Sequence, residues 1–115
     1  MLNSGDVLMV ELGMPAPKEA GFRHPAIVVT AQRILDADPS VVQVVPLTSK
    51  LRGFASEIVI DPDAANGLEH PSAAQCQHIR AVATSRIESK LGNAGAIALL
   101  QIREVIGLLL EVGKP

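Results

Sequence analysis

The stretch Val41-Val42-Gln43-Val44-Val45-Pro46-Leu47 decides the fold. Its four valines are β-branched and stiff at χ1, which favours a pleated strand over a helix. Toward the N-terminus, Pro25-Ala26-Ile27-Val28-Val29-Thr30 predicts another strand, with Pro25 at its first position, where a missing donor is tolerated. Its nearly continuous apolar character predicts burial on both faces. Val7-Leu8-Met9-Val10-Glu11-Leu12 predicts a first strand, entered through Gly5-Asp6. Between these two, Gly13 to Gly21 holds Pro15 and Pro17 and reads as a loop. Gln32 to Leu35 fits a helical turn, ended by Asp36-Ala37-Asp38-Pro39-Ser40.

Toward the C-terminus, Thr48-Ser49-Lys50-Leu51-Arg52-Gly53 is a polar, basic loop, and Phe54 to Ile60 alternates imperfectly but reads as a strand. Asp61-Pro62-Asp63 and Asn66-Gly67 mark a turn-rich connection. Ser72 to Val82 reads as extended, with Ala74, Cys76 and His78 on one side and Gln75, Gln77 and Ile79 on the other. Ser85-Arg86-Ile87-Glu88 matches a capping box and predicts a short helix to Lys90, ended by Gly92. Ala96 to Val112 predicts one long helix with Leu99, Ile102, Ile106 and Leu109 on one face. Leu100, Leu108 and Leu110 lie off that stripe, which fits either a deep core on a curled sheet or an interface face. No helix-length pattern separates the first four strands, so parallel βαβ units are excluded. Strands followed by a terminal helix give a mainly β, α+β fold: a small barrel or curled sheet with a covering helix.

Composition narrows the function. The 115 residues predict one domain, 1–115, and 48% hydrophobic content suffices for a core. Phe22 and Phe54 are the only aromatic residues, which argues against an aromatic stacking platform as the main grip on nucleic acid. The net charge of −2 disfavours a globally basic nucleic-acid binder and leaves room for a local basic groove. Cys76 is the single cysteine, so no internal disulfide is expected, and one Cys with three scattered His gives no zinc-ligand spacing. The N-terminus lacks signal-peptide character, and the greasy run Val105 to Leu110 is too short to span a membrane. A soluble cytoplasmic protein without cofactor is the expectation.

Five segments in order resemble the MazF/PemK toxin family. Gly5-Asp6-Val7 opens a strand, and Gly21-Phe22-Arg23-His24-Pro25-Ala26-Ile27-Val28-Val29 follows like the family's "G-x-R-R-P-A-hydrophobic" segment. Val44-Val45-Pro46-Leu47-Thr48-Ser49 resembles its "V-V-P-L-T-S". Gly67-Leu68, Pro71-Ser72 and Cys76-Gln77-His78-Ile79-Arg80 resemble "GL … P-S … C-D-Q-I-R", and Arg86-Ile87 to Leu91-Gly92 precedes an amphipathic helix as in the family. The resemblance spans almost the whole chain. It implies an SH3-like small β-barrel of the PemK/CcdB type with a C-terminal helix, forming a homodimer. It also implies a sequence-specific, metal-independent endoribonuclease acting on single-stranded RNA. The implied partner is a cognate MazE-like antitoxin; DNA would be met only through the antitoxin complex, and no membrane is involved.

Metal-free RNA cleavage uses the neighbouring 2′-hydroxyl as nucleophile. It requires a base, an acid and donors for the phosphorane charge. The family places an Arg directly before the Pro of the second strand and a Thr in the T-S segment. Thr48 matches the Thr, but His24 precedes Pro25 and Arg23 sits one residue earlier. Either Arg23 supplies a guanidinium fork suited to phosphate, or His24 takes the catalytic place as acid or base. Successive strand residues point to opposite faces, so only one of the two is expected to face the site. Thr48 would donate to a phosphate oxygen; a turn-capping hydroxyl is the plain alternative.

Ser49, Lys50 and Arg52 would follow the RNA backbone, or else belong to an ordinary solvated loop. Glu19, in the first loop, and Gln77 and His78, where the family carries an acid followed by Gln, are candidate base readers. Arg80 matches the family Arg and would touch phosphate or hold a dimer. Phe22 is placed to stack on a base, while Phe54 is expected in the core. Cys76 reads as a small buried residue and His70 as an exposed turn residue. A non-catalytic barrel relative is the alternative. A CcdB-type gyrase poison is disfavoured, because the C-terminus Leu110-Glu111-Val112-Gly113-Lys114-Pro115 lacks Trp-Gly-Ile. A decayed, partner-binding member stays open because of the His24 departure.

Overall fold

The computed structural model describes residues 1–13 and 23–113. The first loop's Glu19 and the neighbouring Phe22 therefore lie outside the described residues.

Seven strands form one antiparallel sheet: β1 Asp6–Glu11, β2 Arg23–Val28, β3 Val41–Thr48, β4 Glu57–Ile60, β5 Ser72–Gln75, β6 Arg80–Ala83 and β7 Ile87–Asn93. A helical turn, α1 Gln32–Leu35, joins β2 to β3, and a 15-residue helix, α2 Gly95–Leu109, follows β7. The hydrogen-bonded order is β4-β5-β3-β2-β1-β7, with β6 also on β3. Among the described residues this path stays open between β4 and β7, so the expected barrel is realised as an unclosed sheet.

β2 is buried on both faces, as its continuous apolar character predicts. Ile27 joins Val7, Val45, Leu47, Ile60, Ala74 and Cys76 under α2, where Leu99 and Ile102 pack. Ala26 and Val28 join Leu8, Val10, Val42, Val44 and Val82 on the opposite face, closed by Leu35 of α1. Each large side chain fully withdrawn from water in these cores is worth about 1.5–3 kcal/mol. The predicted helical stripe is partly right. Leu99 and Ile102 are buried and Ile106 is partly buried, but Leu109, at the helix end, is exposed. Leu100, Leu108 and Leu110 are exposed as well.

Two local readings give way to tertiary pairing. Ser72 to Val82 is not one extended segment. β5 pairs with β3 at Leu47↔Ala74, and β6 resumes on β3 at Val44↔Arg80. A step of six residues from Ala74 to Arg80 thus runs against a step of three on β3, and the three-residue excess is a 3-10 turn at Cys76–His78. Pro46, which has no N–H, falls in the gap between these two ladders, where a missing donor is tolerated. The capping-box segment is likewise not a helix. Thr84–Arg86 makes a 3-10 turn and Ile87–Asn93 is β7, paired along β1 from Val10↔Ile87 to Asp6↔Asn93. The open edge of β1 outweighs a four-residue capping signal. The strand forecast from Phe54 is shorter in fact and begins at Glu57.

Candidate active site

A cleft of about 510 Å³ opens where β2 begins and β3 ends. Its strand side is formed by Met9 of β1, Arg23, His24 and Pro25 of β2, and Leu47, Thr48 and Ser49 at the end of β3. Its other side is the β4–β5 connection, through Gly67, Leu68, Glu69 and His70, with Ser72 and Leu91 completing the lining.

Both Arg23 and His24 line the cleft, contrary to the expectation that strand alternation admits only one. They are the first two residues of β2, at its open end, where the cleft wraps round the strand terminus. Alternation still separates them. Arg23 shares a face with Pro25 and Ile27, and His24 shares one with Ala26, opposite Val10. The β2–β3 pairing ends at Ala26↔Pro46, and His24 and Thr48 each lie two residues beyond it, on the strand ends that line the cleft. The Arg23 Nε meets Glu88 Oε1 of β7 at 2.5 Å. That pair is solvent-exposed and so worth at most about 1 kcal/mol, low enough for a phosphate to displace the carboxylate. The Thr48 Oγ1 accepts the Lys50 N–H at 3.2 Å, which leaves the hydroxyl proton free to donate outward. The capping role and the phosphate role are therefore compatible.

The remaining candidates among the described residues are not brought into this lining. Lys50 follows Ser49 on the exposed loop. The Arg52 Nη2 pairs with Glu57 Oε2 at 2.5 Å, and its guanidinium lies 4.5 Å from the centroid of the Phe54 ring. Phe54 is half-exposed, so its predicted place in the core is not borne out. Gln77 Nε2 donates to the same Glu57 oxygen at 2.8 Å and Gln75 Nε2 at 3.4 Å. The Glu57 carboxyl is held below the usual carboxylate range, first by the Arg52 hydrogen bond, against the opposing effect of burial, and then by Gln77 and Gln75. Arg52 and Gln77 are thus committed to Glu57. The Arg80 Nη1 donates to the Leu12 carbonyl at 3.3 Å, and His78 is exposed on the 3-10 turn. The Cys76 thiol is buried and pushed up to about 11 by desolvation, which removes it as a thiolate nucleophile.

The expected basic groove is also muted. Arg23, Arg52, Arg86 and Lys90 pair with Glu88, Glu57, Glu11 and Asp6 respectively. Glu69 and His70 are the functional-type residues that sequence reasoning missed at the cleft. The available signal was the tight Asp63-Asn66-Gly67 turn chemistry, which implies an ordered connection rather than a loose one.

Residues 3–110 match the model of the PemK-like, MazF-like toxins of type II toxin–antitoxin systems. The chain belongs to this PemK/MazF family. It is 29% identical over 116 residues to Endoribonuclease MazF9 of Mycobacterium tuberculosis, covering 97% of this chain and 98% of that protein. The fold matches a MazE–MazF crystal structure from Deinococcus radiodurans with TM-score 0.77 and 25% identity, covering 97% of each chain. It also matches a mycobacterial endoribonuclease in complex with its cognate antitoxin, with TM-score 0.80, at 16% identity and over the full length of both. The MazF-type arrangement of an antiparallel sheet and terminal helix is therefore the architecture of this chain. Among the described residues, no helix is long and apolar enough to cross a membrane.

Proposed function

We propose that this PemK/MazF-family toxin is an endoribonuclease that cuts single-stranded RNA through attack by the adjacent 2′-hydroxyl, with an antitoxin as its inhibitory partner. The observation that carries the reading is the meeting of Arg23, His24, Thr48 and Ser49 in one cleft. The 2′-oxygen bonds to phosphorus as the bond to the 5′-oxygen breaks, leaving a 2′,3′-cyclic phosphate and a 5′-hydroxyl. The 2′-hydroxyl proton passes to a base, and a proton is delivered to the departing 5′-oxygen. Arg23, released from Glu88, presents a planar fork to two phosphate oxygens, and Thr48 donates its hydroxyl to a non-bridging oxygen. His24, in the lining of the same cleft as Thr48, carries a proton transfer. This division of labour gives both β2 residues a role and requires no metal.

Single-strand preference follows from the strand-end geometry, because the sugar and phosphate must enter a cleft closed on one side by the β4–β5 connection. The antitoxin and a second copy of this chain are the protein partners the family implies. The exposed Leu100 and Leu108 of α2, with Leu110 just after it, offer apolar surface for one of them. Primer-extension mapping on a long RNA tests the reading with wild type and the Thr48→Ala, Arg23→Ala and His24→Ala variants side by side. Discrete cuts at a short recurring motif, lost in Thr48→Ala, are expected. Intact RNA with the wild-type protein overturns the reading, and wild-type cutting by both β2 variants overturns the residue assignment.

A further inference from the structure

We infer that His70, on the β4–β5 connection, is a second catalytic proton-transfer residue that delivers the proton to the departing 5′-oxygen from the side of the cleft opposite β2. The inference rests on the proposed endoribonuclease reading and adds to it a residue that the strand motifs do not include.

In-line displacement puts the entering 2′-oxygen and the departing 5′-oxygen on opposite sides of phosphorus. The base and the acid must therefore reach in from two directions. On the strand side stand Arg23, His24, Thr48 and Ser49; on the connection side stand Glu69 and His70. Arg does not release its proton in proteins, and the hydroxyls of Thr48, Ser49 and Ser72 are poor acids. Among the described lining residues, the imidazoles of His24 and His70 are the side chains whose type both gives and takes a proton, while an ionised Glu69 carboxylate only accepts. With His24 on the strand side, His70 is the group left for the far oxygen.

The connection is built to hold that position. Asn66 is fully buried; its Oδ1 accepts the N–H groups of Asp63 (3.2 Å) and Leu68 (3.0 Å), and its Nδ2 donates to the Asp61 carbonyl at 2.8 Å. The Asp63 Oδ1 accepts the Ala65 and Asn66 N–H groups, each at 2.8 Å. Gly67, at φ +70°, and Gly92 of β7 let the connection and β7 touch backbone to backbone. Beyond this clamp, Pro71 biases His70 toward extended backbone, and Ser72 Oγ donates to the His70 carbonyl at 3.1 Å. His70, exposed in the lining of the cleft, is thus carried on backbone held before it by the Asn66 clamp and after it by Ser72. The charged and titratable groups that share the cleft with it are Glu69 on its own connection and Arg23 and His24 on β2.

The test uses the full chain and a short single-stranded RNA containing one mapped cut site. The RNA is made with either the natural 5′-oxygen or a bridging 5′-sulfur at the scissile phosphate. A thiolate leaves without a proton, so loss of a general acid is forgiven on the sulfur substrate alone. His70→Gln is expected to cut the oxygen substrate about 10²–10⁴-fold more slowly and the sulfur substrate within about tenfold of wild type. The alkaline limb of its pH profile, where the acid loses its proton and the rate falls, should disappear. Oxygen-substrate rates within about twofold of wild type overturn the inference. So does equal loss on both substrates in His70→Gln and His70→Asn alike. Failure of the wild-type chain to cut either RNA would instead overturn the endoribonuclease reading itself.

Discussion

Gly67 of the β4–β5 connection and Leu91 of β7 stand backbone against backbone, so that a Cβ on Gly67 would lie 2.1 Å from the Leu91 carbonyl oxygen. The reciprocal contact is equally close: a Cβ on Gly92 would lie 2.3 Å from the Ala65 carbonyl oxygen. This paired approach joins the connection to β7 at two residues, Gly67 and Leu91, that themselves line the cleft.

Gly67→Ala should therefore destabilise the protein and open the cleft together. The added methyl meets backbone rather than a flexible side chain, and φ +70° strains any L-residue. A loss of about 2–4 kcal/mol is expected, read by urea unfolding, with reduced cleavage at temperatures where the variant remains folded. Wild-type stability would show that the contact relaxes without cost.

Thr48→Ala should lower the cleavage rate by about 10²–10³-fold, because it deletes one preorganised donor to the phosphorane. Thr48→Ser, which keeps the hydroxyl and its acceptance of the Lys50 N–H, should retain most of the activity. Single-turnover rates on one mapped RNA site distinguish the two outcomes. Equal loss in both variants would point to packing by the methyl group instead.

Glu88→Gln tests whether the Arg23 pair is only a resting state. The pair is exposed, so stability should change by no more than about 0.5 kcal/mol, and cleavage should stay at or above the wild-type rate. Arg23→Lys should not substitute for Arg, since a point charge cannot present a fork to two phosphate oxygens. A Glu88→Gln variant as slow as Arg23→Ala would make Glu88 part of the machinery.

Acid stability should depend on Glu57. Its folded carboxyl is held below its ordinary value of 4.5, so the stability it contributes is present above about pH 4.5. That contribution is lost as the pH falls through the lower folded value. Arg52→Ala removes the principal cause of the shift and should cost about 1–3 kcal/mol at pH 7, because it leaves a buried acceptor short of partners. The same substitution should flatten the stability profile as the pH falls below about 4.5. Thermal unfolding across that range is the readout, and an unchanged acid slope would contradict the assignment.

The sequence made the frame legible wherever one physical cause dominated. The valines of β3 and the two-sided apolar run of β2 declare strands regardless of context. The Leu99–Ile102 spacing likewise declares the buried face of α2. Misreadings arose where a local signal competed with pairing. Ser85-Arg86-Ile87-Glu88 carries capping chemistry, yet the open edge of β1 makes Ile87–Asn93 a strand, and Glu88 turns to Arg23. The three-residue excess at Cys76–His78 is invisible in composition, because it exists only in the register against β3. At the cleft, Arg23, His24, Thr48 and Ser49 are legible through the family resemblance of their two segments, and the structure places all four in one lining. Arg52 and Gln77 had residue types suited to RNA but proved to be partners of Glu57. His70 is the exposed turn residue the sequence predicts, and its place in the lining of the cleft comes from the folded connection, which no linear pattern displays.

The central claim is that this cleft cleaves RNA through its own side chains by 2′-hydroxyl attack. The most direct measurement incubates the purified chain with a single-stranded RNA in excess EDTA and determines the chemistry of the new ends. Cleavage that persists, yields 2′,3′-cyclic phosphate and 5′-hydroxyl ends, and stops when the sugar 5′ to the cut is 2′-deoxy is the predicted result. Cleavage abolished by EDTA, or products bearing 5′-phosphate, would contradict the account.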